Sequence, residues 1–142
     1  MAKENSLDRF IDAQKYDYAT ALAEIKDGRK RSHWMWYIFP QIQGLGFSAT
    51  SKLYAIKNLQ EARQYLQHPL LGKRLKEITN ALIDLPSNNA HEIFGSPDDV
   101  KLKSSMTLFA SLPGADPVFE SALKKFFNGE RDAKTLSIIK DE

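Results

Sequence analysis

The chain has 142 residues, of which 42% are hydrophobic and 11% aromatic, enough apolar material for one packed domain. Its 20 basic and 18 acidic residues leave a net charge of +2, which excludes nucleic-acid or membrane binding through the whole surface and leaves only a local charged patch. The lack of cysteine excludes thiol chemistry and disulfides. No apolar run approaches the roughly 18 residues that span a bilayer, and the N-terminus has no signal-peptide pattern, so we expect a soluble cytoplasmic protein that does not enter a membrane.

The first elements in the chain are a long helix and a short one. Ser6 is a suitable N-cap and Gly28 a suitable stop for the long helix, whose apolar residues recur at three- and four-residue steps. These apolar residues are Leu7, Phe10, Ile11, Tyr18, Leu22 and Ile25. Ser32 then predicts the start of a short helix over residues 33–39, which Pro40 and the glycines after it end.

Helix signals continue towards the C-terminus. Cap residues, first-turn prolines and apolar periodicity predict helices or helical turns over residues 48–56, 59–67, 71–82, 91–94, 97–111, 118–127 and 132–139. The predicted caps include Ser48, Asn58, Asp116 and Asp132. No alternating β-branched run or Asn-Gly hairpin signal indicates a strand. We therefore predict an all-α fold, a single compact domain over residues 1–142 with about seven helices, several of them short.

Three consecutive basic residues, Arg29, Lys30 and Arg31, follow the end of the first helix. With the free backbone N–H groups and the positive dipole end of the second helix, they form a candidate site for an anion of phosphate type. The arginine fork suits two oxygens at once, so Arg29 and Arg31 are predicted ligand-binding residues. The alternative is that these side chains are solvated surface charges.

Both tryptophans lie in the segment that follows, His33-Trp34-Met35-Trp36. A tryptophan face beside cations is a stacking surface for a flat ring, so Trp34 is a predicted ligand-binding residue. Histidine titrates near neutral pH, so His33 is a predicted catalytic acid or base. Burial in the core is the expectation for Met35, Trp36, Ile38 and Phe39.

An irregular segment with two glycines, residues 41–47, comes next. Gly44 and Gly46 allow positive φ and a close approach of the backbone to a ligand. They do not form a nucleotide fingerprint, because a third glycine and a preceding strand are lacking. Gln41 and Ser48, at the two ends of this segment, are predicted ligand-binding residues.

Carboxylates, amines and hydroxyls crowd the start of a later helix, in residues 98–105. Asp98 is a candidate catalytic base, and Lys101 and Ser104 are candidate ligand-binding residues, three apart, that form an amine–hydroxyl pair. The alternative is that the acids only stabilise a helix N-terminus, by about 0.3 to 1 kcal/mol each. The three histidines have no ligand spacing, so we expect neither a metal site nor a cofactor.

Longer motifs point to a family. They are FIDAQ (residues 10–14), GRKRSHWMWYIFPQIQGLGFS (28–48), YAI (54–56), EARQYL (61–66), HPLLGKRL (68–75), IFGSPDDVKLKSSMTLF (93–109) and FFNGERDAKTL (126–136). Over nearly its whole length the chain resembles the bacterial domain-of-unknown-function family eighteen-ten, some members of which bear the label calpastatin. The resemblance implies an all-helical single domain and no established activity.

A second resemblance rests on shorter motifs. Residues 8–10 (DRF), 13–15 (AQK), the Gly28-Arg29 pair, Trp34 and the 95–101 segment are similar to motifs of the NADAR group of NAD- and ADP-ribose-associated glycosidases. This resemblance implies that Asp8 is the catalytic acid near the glycosidic bond, that Arg29 contacts phosphate or ribose, and that an aromatic ring stacks on the base. The glutamate usual in that group is an aspartate here, one methylene shorter.

The residues thus support alternative hypotheses. In the first, the protein binds a small nucleotide-derived anion such as an ADP-ribose-type N-glycoside and could hydrolyse it as an N-glycosidase-like enzyme. It expects the predicted ligand-binding residues, with His33 and Asp98, to converge on one pocket. In the second, a non-catalytic interaction module presents the basic and aromatic segment to a protein or RNA partner. A third interpretation is structural, with Arg29 or Arg31 buried in salt bridges to Asp98, Asp99 or Asp8.

Overall fold

The structure is a computed structural model that describes residues 6–141. Over this range the chain forms nine helices: α1 (Asp8–Lys26), α2 (Met35–Ile38), α3 (Ala49–Leu53), α4 (Leu59–Gln67), α5 (Leu71–Ile83), α6 (Ala90–Phe94), α7 (Asp98–Ala110), α8 (Pro117–Phe127) and α9 (Ala133–Lys140). The all-α prediction is confirmed, since these residues form no strand and only an isolated parallel bridge between Ile42 and Ile56. None of these helices is long and apolar enough to cross a membrane.

Local hydrogen bonds define several helix ends as the sequence predicts, but at the start of α1 the cap position is Leu7, without a side-chain cap bond, and not Ser6. Gly28 ends α1 at φ 83°, its N–H donates to the Ile25 carbonyl at 2.9 Å, and the Arg29 N–H donates to the Glu24 carbonyl at 3.1 Å. The caps predicted for α3, α4, α8 and α9 are confirmed, because each side chain accepts a hydrogen bond from a first-turn N–H. These caps are Ser48, Asn58, Asp116 and Asp132.

Two predicted helices are shorter in the structure. The helix predicted over residues 33–39 is α2, and Ser32 does not cap it, because the Ser32 hydroxyl donates to the carboxylate of Glu24 at 2.5 Å. The helix predicted over residues 48–56 is α3, which ends at Leu53 because the backbone of Ile56 pairs with residues 41–43 instead. In both cases a contact distant in sequence overrides the local helix signal.

A row of aromatic rings runs through the core and joins four helices. Phe10 of α1 packs edge-on against Tyr65 of α4, with 5.1 Å between ring centroids. Tyr65 lies 5.5 Å from Phe109 of α7, and Phe109 lies 5.8 Å from Phe119 of α8. All four rings are fully buried, so they hold α1, α4, α7 and α8 in one hydrophobic core.

A buried arginine fixes the segment between α3 and α4. Arg9 of α1 donates to Glu61 at 2.7 Å and to the carbonyls of Leu53 and Ala55 at 2.8 and 2.7 Å. Because the planar guanidinium binds several acceptors at once, it holds the 53–55 backbone in a fixed position against α1. The next residue, Ile56, is the one that pairs with residues 41–43, so Arg9 also stabilises one wall of the site described below.

Candidate functional site

Two adjoining depressions flank the 41–51 segment, one between it and the N-terminal ends of α7 and α9, the other between it, Trp36 and residues 52–55. The outer groove has a volume of about 260 Å³ and is lined by Gln41, Leu45, Gly46, Ser51, Pro97, Val100, Lys101, Ser104, Asp132 and Lys134. The inner compartment has a volume of about 60 Å³ and is lined by Trp36, Gln41, Ile42, Gln43, Gly44, Gly46, Ser51, Lys52, Tyr54 and Ala55. Gln41, Gly46 and Ser51 line both, so the two depressions form one candidate site.

Backbone pairing fixes the wall that the two depressions share. The Gln43 N–H donates to the Ile56 carbonyl at 2.8 Å, and the Ile56 N–H donates to the Gln41 carbonyl at 2.8 Å. Gly46 lets the segment approach α3, since a Cβ atom at this position would lie 2.4 Å from the Cβ of Ser51. A side chain at position 46 would therefore displace this wall.

The positive charge of the site comes from two lysines that share one carboxylate. The ammonium of Lys101 lies 5.1 Å from the ring centroid of Trp36 and 3.6 Å from Asp98. The other oxygen of Asp98 lies 2.9 Å from the ammonium of Lys30, which lies 5.1 Å from the ring centroid of Trp34. Two ammonium groups and one carboxylate leave this cluster net positive, and its side chains are only 9% to 23% exposed, so solvent screens that charge incompletely.

The shared wall also carries an amide without a hydrogen-bond partner. The side chain of the half-buried Gln41 makes no hydrogen bond within the part of the chain that the structure describes. Other polar groups of the outer groove are engaged: the Ser104 hydroxyl donates to the Val100 carbonyl at 3.2 Å, and the carboxylate of Asp132 accepts two hydrogen bonds as the cap of α9. Gln41 therefore has donors and an acceptor available for a ligand.

The structure brings together only part of the predicted site. Gln41, Lys101 and Ser104 line the outer groove, and Asp98 contacts the site through Lys101. The expected convergence on one pocket is wrong for the other predicted residues, which line neither depression. These are Arg29, Arg31, His33, Trp34 and Ser48; Asp8, which only the glycosidase resemblance implied, lines neither depression either.

The turn that contains Arg31 and Trp34 does bind an anion, but the anion is the protein's own Glu24. One oxygen of this carboxylate accepts from the backbone N–H groups of Arg31 and Ser32 at 2.8 and 2.9 Å and from the indole N–H of Trp34 at 2.9 Å. The other oxygen accepts from the Ser32 hydroxyl at 2.5 Å. Trp34 is 1% exposed, so the prediction that its ring stacks on a ligand is wrong.

These hydrogen bonds determine the charge state of Glu24. Burial by itself raises the pKa of the carboxyl, but the hydrogen bonds from Ser32, Arg31 and Trp34 outweigh burial and lower the pKa from 4.5 to about 2. The carboxylate is therefore ionised at neutral pH and occupies the N–H groups that the sequence assigned to an external phosphate.

The cations of the turn do not form a second pocket. Arg29 is exposed. The side chain of Arg31 is 56% exposed and pairs with Asp27, the C-cap residue of α1. Neither arginine is buried against Asp98, because Asp98 forms its salt bridge with Lys30. The structural interpretation is thus wrong for both arginines, which are exposed as the alternative of solvated surface charges expects, and the salt bridge to Asp98 is made by Lys30 instead.

Asp8 and Arg29 lie at opposite ends of α1. The Arg29 N–H donates to the carbonyl of Glu24, and a rise of about 1.5 Å per residue places Glu24 roughly 24 Å from Asp8 along the axis. A glycosidic bond and the phosphate or ribose of the same nucleotide are much closer than this. The structure therefore contradicts the pair of roles that the glycosidase resemblance implied for Asp8 and Arg29.

Comparison with known proteins identifies the family. Residues 4–139 match the family described as Protein of unknown function (DUF1810). The chain belongs to this family. Among solved structures, this DUF1810 chain is similar to the crystal structure of the conserved hypothetical protein Rv1873 from Mycobacterium tuberculosis, at 46% sequence identity and a TM-score of 0.92, over 94% of this chain and 96% of that one. A search of curated proteins found no match.

The family comparison confirms the resemblance based on the longer motifs. It agrees with an all-helical domain, and the family description names no activity. Neither comparison assigns an activity to this DUF1810 chain, whose own site geometry is the remaining indication of its function.

Sequence reasoning missed two side chains of this site, Trp36 and Lys30. Trp36 was expected in the core, whereas it is half-buried and lines the inner compartment. The two tryptophans exchange the expected roles because Glu24, ten positions before Trp34, accepts the indole N–H of Trp34 and holds that ring inside. The residues next to either tryptophan in the sequence do not predict this contact with Glu24. For Lys30, the run of three basic residues indicated an anion-binding segment. It did not indicate which of the three forms a salt bridge with Asp98.

The site offers no evident metal centre. Within residues 6–141, no group of three or more His, Cys, Asp and Glu side chains is arranged to hold a metal ion.

Proposed function

We propose that this site binds a small anionic ligand of the nucleotide class, of which an ADP-ribose-type compound is one example. The observation that carries the proposal is the position of Lys101, whose ammonium lies 5.1 Å from the ring centroid of Trp36 where the outer groove meets the inner compartment. A cation beside an indole, next to an unpartnered amide, suits a ligand that has both a negative group and a flat ring.

The charges of the outer groove favour an anion. Its described lining residues include two basic side chains, Lys101 and Lys134, and one acidic side chain, Asp132. That carboxylate accepts from the N–H and the hydroxyl of Thr135 at 2.9 and 2.6 Å. Lys30 adds a third positive charge and Asp98, which contacts both Lys30 and Lys101, adds a second negative one. A phosphate in the groove would therefore meet an excess of ammonium groups over carboxylates, although it would share Lys101 with Asp98.

The acids at the site favour binding over hydrolysis. Glycosidases use carboxyl groups that face the sugar and are free to transfer a proton or to attack. Here Asp98 is held between Lys30 and Lys101, and Asp132 is the N-cap of α9. His33, the predicted acid or base, does not line the groove. We therefore propose a binding protein or sensor for the ligand rather than an N-glycosidase.

A thermal-shift panel tests this function with AMP, ADP-ribose, NAD, inorganic phosphate and single-stranded RNA as probes. A ligand at 100 times its Kd stabilises the native state by about 2.7 kcal/mol, which raises the Tm by roughly 5 to 10 °C for a chain of this size. We expect this shift with the nucleotides, a smaller one in Lys101→Ala, and an unchanged one in Arg29→Ala, which removes an exposed cation outside the groove. If no nucleotide shifts the Tm, or if Lys101→Ala keeps the full shift, the proposal fails.

A second candidate function, contact with a protein or RNA partner, is favoured by the exposed apolar residues at the groove. Phe47 follows Gly46 directly and is 83% exposed, and Val100 lines the groove and is 54% exposed. Exposed rings beside lysines stack on unpaired bases or pack against a partner chain. Titration of fluorescent single-stranded RNA and an acidic peptide tests this function. It predicts binding that Phe47→Ser weakens, and saturable binding of neither probe would exclude those two classes of partner.

A further inference from the structure

The amide of Gln41 is the starting observation. It lies in the wall that the outer groove and the inner compartment share, it is half-buried, and it makes no hydrogen bond with the rest of residues 6–141. Solvent reaches both polar atoms of this amide, since they are not among the buried side-chain atoms without a partner in the described residues, so the amide can exchange water for a ligand. A glutamine amide offers a donor and an acceptor side by side, so its natural partner is a group with an adjacent acceptor and donor.

The inner compartment is shaped for part of a ring rather than for a phosphate. Trp36, Tyr54 and Ile42 contribute its aromatic and apolar surface. Lys52, which is exposed, is the charged residue among its described lining side chains, whereas the outer groove has Lys101 and Lys134. Its volume of about 60 Å³ gives room for one edge of a heterocycle beside Gln41.

The two depressions therefore differ in the residues that line them, aromatic and apolar in the inner compartment and basic in the outer groove. The aromatic compartment ends at Gln41, and the lysine-lined groove begins there. A ligand that fills both has its ring at one end and its negative charge at the other, as a nucleotide has. Among the purines, adenine presents an N6 donor beside an N7 acceptor, which a glutamine amide binds with two hydrogen bonds, whereas hypoxanthine and guanine present two acceptors at these positions.

We propose that Gln41 is a specificity-determining residue that reads the N6/N7 edge of an adenine ring in the inner compartment, while Lys101 and Lys134 bind the phosphate of the same adenine nucleotide. This inference rests on the proposed function and adds the identity of the base. It involves no covalent step.

Isothermal titration calorimetry with AMP, IMP, 7-deaza-AMP and ribose 5-phosphate tests the proposal on the full chain. We expect AMP to bind about tenfold more tightly than IMP or 7-deaza-AMP, since one two-bond contact discriminates by about that factor. In Gln41→Leu, which removes the amide at similar size, AMP and IMP should bind within twofold of each other. Gln60→Leu, an exposed glutamine on α4 outside both depressions, should keep the tenfold preference.

The outcomes separate the two proposals. If AMP, IMP and ribose 5-phosphate bind wild type equally, the reading of the base by Gln41 is overturned while anion binding stands. If none of the four compounds binds, the proposed function itself fails. The comparison of AMP with 7-deaza-AMP uses wild type alone, so it decides the question even where Gln41→Leu does not fold.

Discussion

Replacing Glu24 by glutamine removes the charge from the turn between α1 and α2 while keeping the size of the side chain. The amide oxygen can still accept from the N–H groups that one carboxylate oxygen binds, those of Arg31, Ser32 and Trp34. The second oxygen, which accepts from the Ser32 hydroxyl at 2.5 Å, becomes a donor group. Glu24→Gln therefore tests the charge of this carboxylate with little change in packing.

The magnitude follows from the pKa of Glu24. Its fall from 4.5 to about 2 on folding corresponds to at most about 3 kcal/mol of stability at neutral pH. Because the folded-state pKa is the lower one, this stability is fully present above about pH 4.5 and is lost as the pH falls through about 2. We expect Glu24→Gln to be less stable than wild type by about 2 to 3 kcal/mol at pH 7 and nearly equal to it at pH 2.

Urea unfolding followed by far-ultraviolet circular dichroism at pH 7, 5, 3 and 2 measures this difference. Glu92→Gln is the matched control, because Glu92 is exposed on the short helix α6 and the same change of charge there should alter stability by less than about 0.5 kcal/mol. The reasoning is refuted if Glu24→Gln and wild type differ by the same amount at pH 7 and at pH 2. It is also refuted if the two unfold alike at pH 7.

Three further changes test the packing around the site. Arg9→Ala should cost about 3 to 5 kcal/mol in urea unfolding, because it leaves the buried carboxylate of Glu61 without its cation; a loss below 1 kcal/mol would contradict this. Gly72→Ala should lower the Tm by several degrees, since its Cβ would lie 2.0 Å from the Leu66 carbonyl oxygen, and an unchanged Tm would show that α4 and α5 separate easily. Ser105→Ala should be neutral or stabilising by up to about 1 kcal/mol, because the buried Ser105 hydroxyl has no hydrogen-bond partner among the described residues. Clear destabilisation in the same unfolding assay would show that this hydroxyl does have a hydrogen-bond partner.

Helix ends are the part of the fold that the sequence predicted best. The caps Asn58, Asp116 and Asp132 and the stop at Gly28 each act through hydrogen bonds that span at most five positions, so a local pattern contains all the information. The short helix over 33–39 was predicted less well, because Ser32 bonds to Glu24, eight positions earlier, instead of capping it.

The candidate site could be predicted only in part, for a related reason. Gln41, Lys101 and Ser104 were selected by residue type, and the structure places them on one groove. Their convergence depends on the pairing of Ile42 with Ile56 and on the packing of α7, which no short motif encodes. Residue type alone favoured the arginines over Lys30, since an arginine fork is the better phosphate ligand.

The tryptophans show the same limit. Trp34 and Trp36 have similar neighbours in sequence, and Trp34 is the enclosed ring because it bonds to the buried Glu24 carboxylate and packs against Phe39 and Phe94. From the sequence, Glu24 is one polar residue of an amphipathic helix. That pattern does not predict that its carboxylate will be buried and accept hydrogen bonds from four donors. The sequence therefore pointed to backbone N–H groups that bind an anion here, but the anion is Glu24 and the two arginine side chains take no part.

The most direct test of the binding site compares the two indole N–H signals of the chain by nuclear magnetic resonance during titration with AMP. The chain has two tryptophans, and Trp36→Phe assigns their signals. We expect the Trp36 signal to move together with backbone signals of residues 41–51 and 100–104, while the Trp34 signal stays in place because its N–H is bonded to Glu24 at 2.9 Å. Movement of Trp34 with residues 29–33 while Trp36 stays fixed, or no movement of either signal, would contradict a ligand site in this groove.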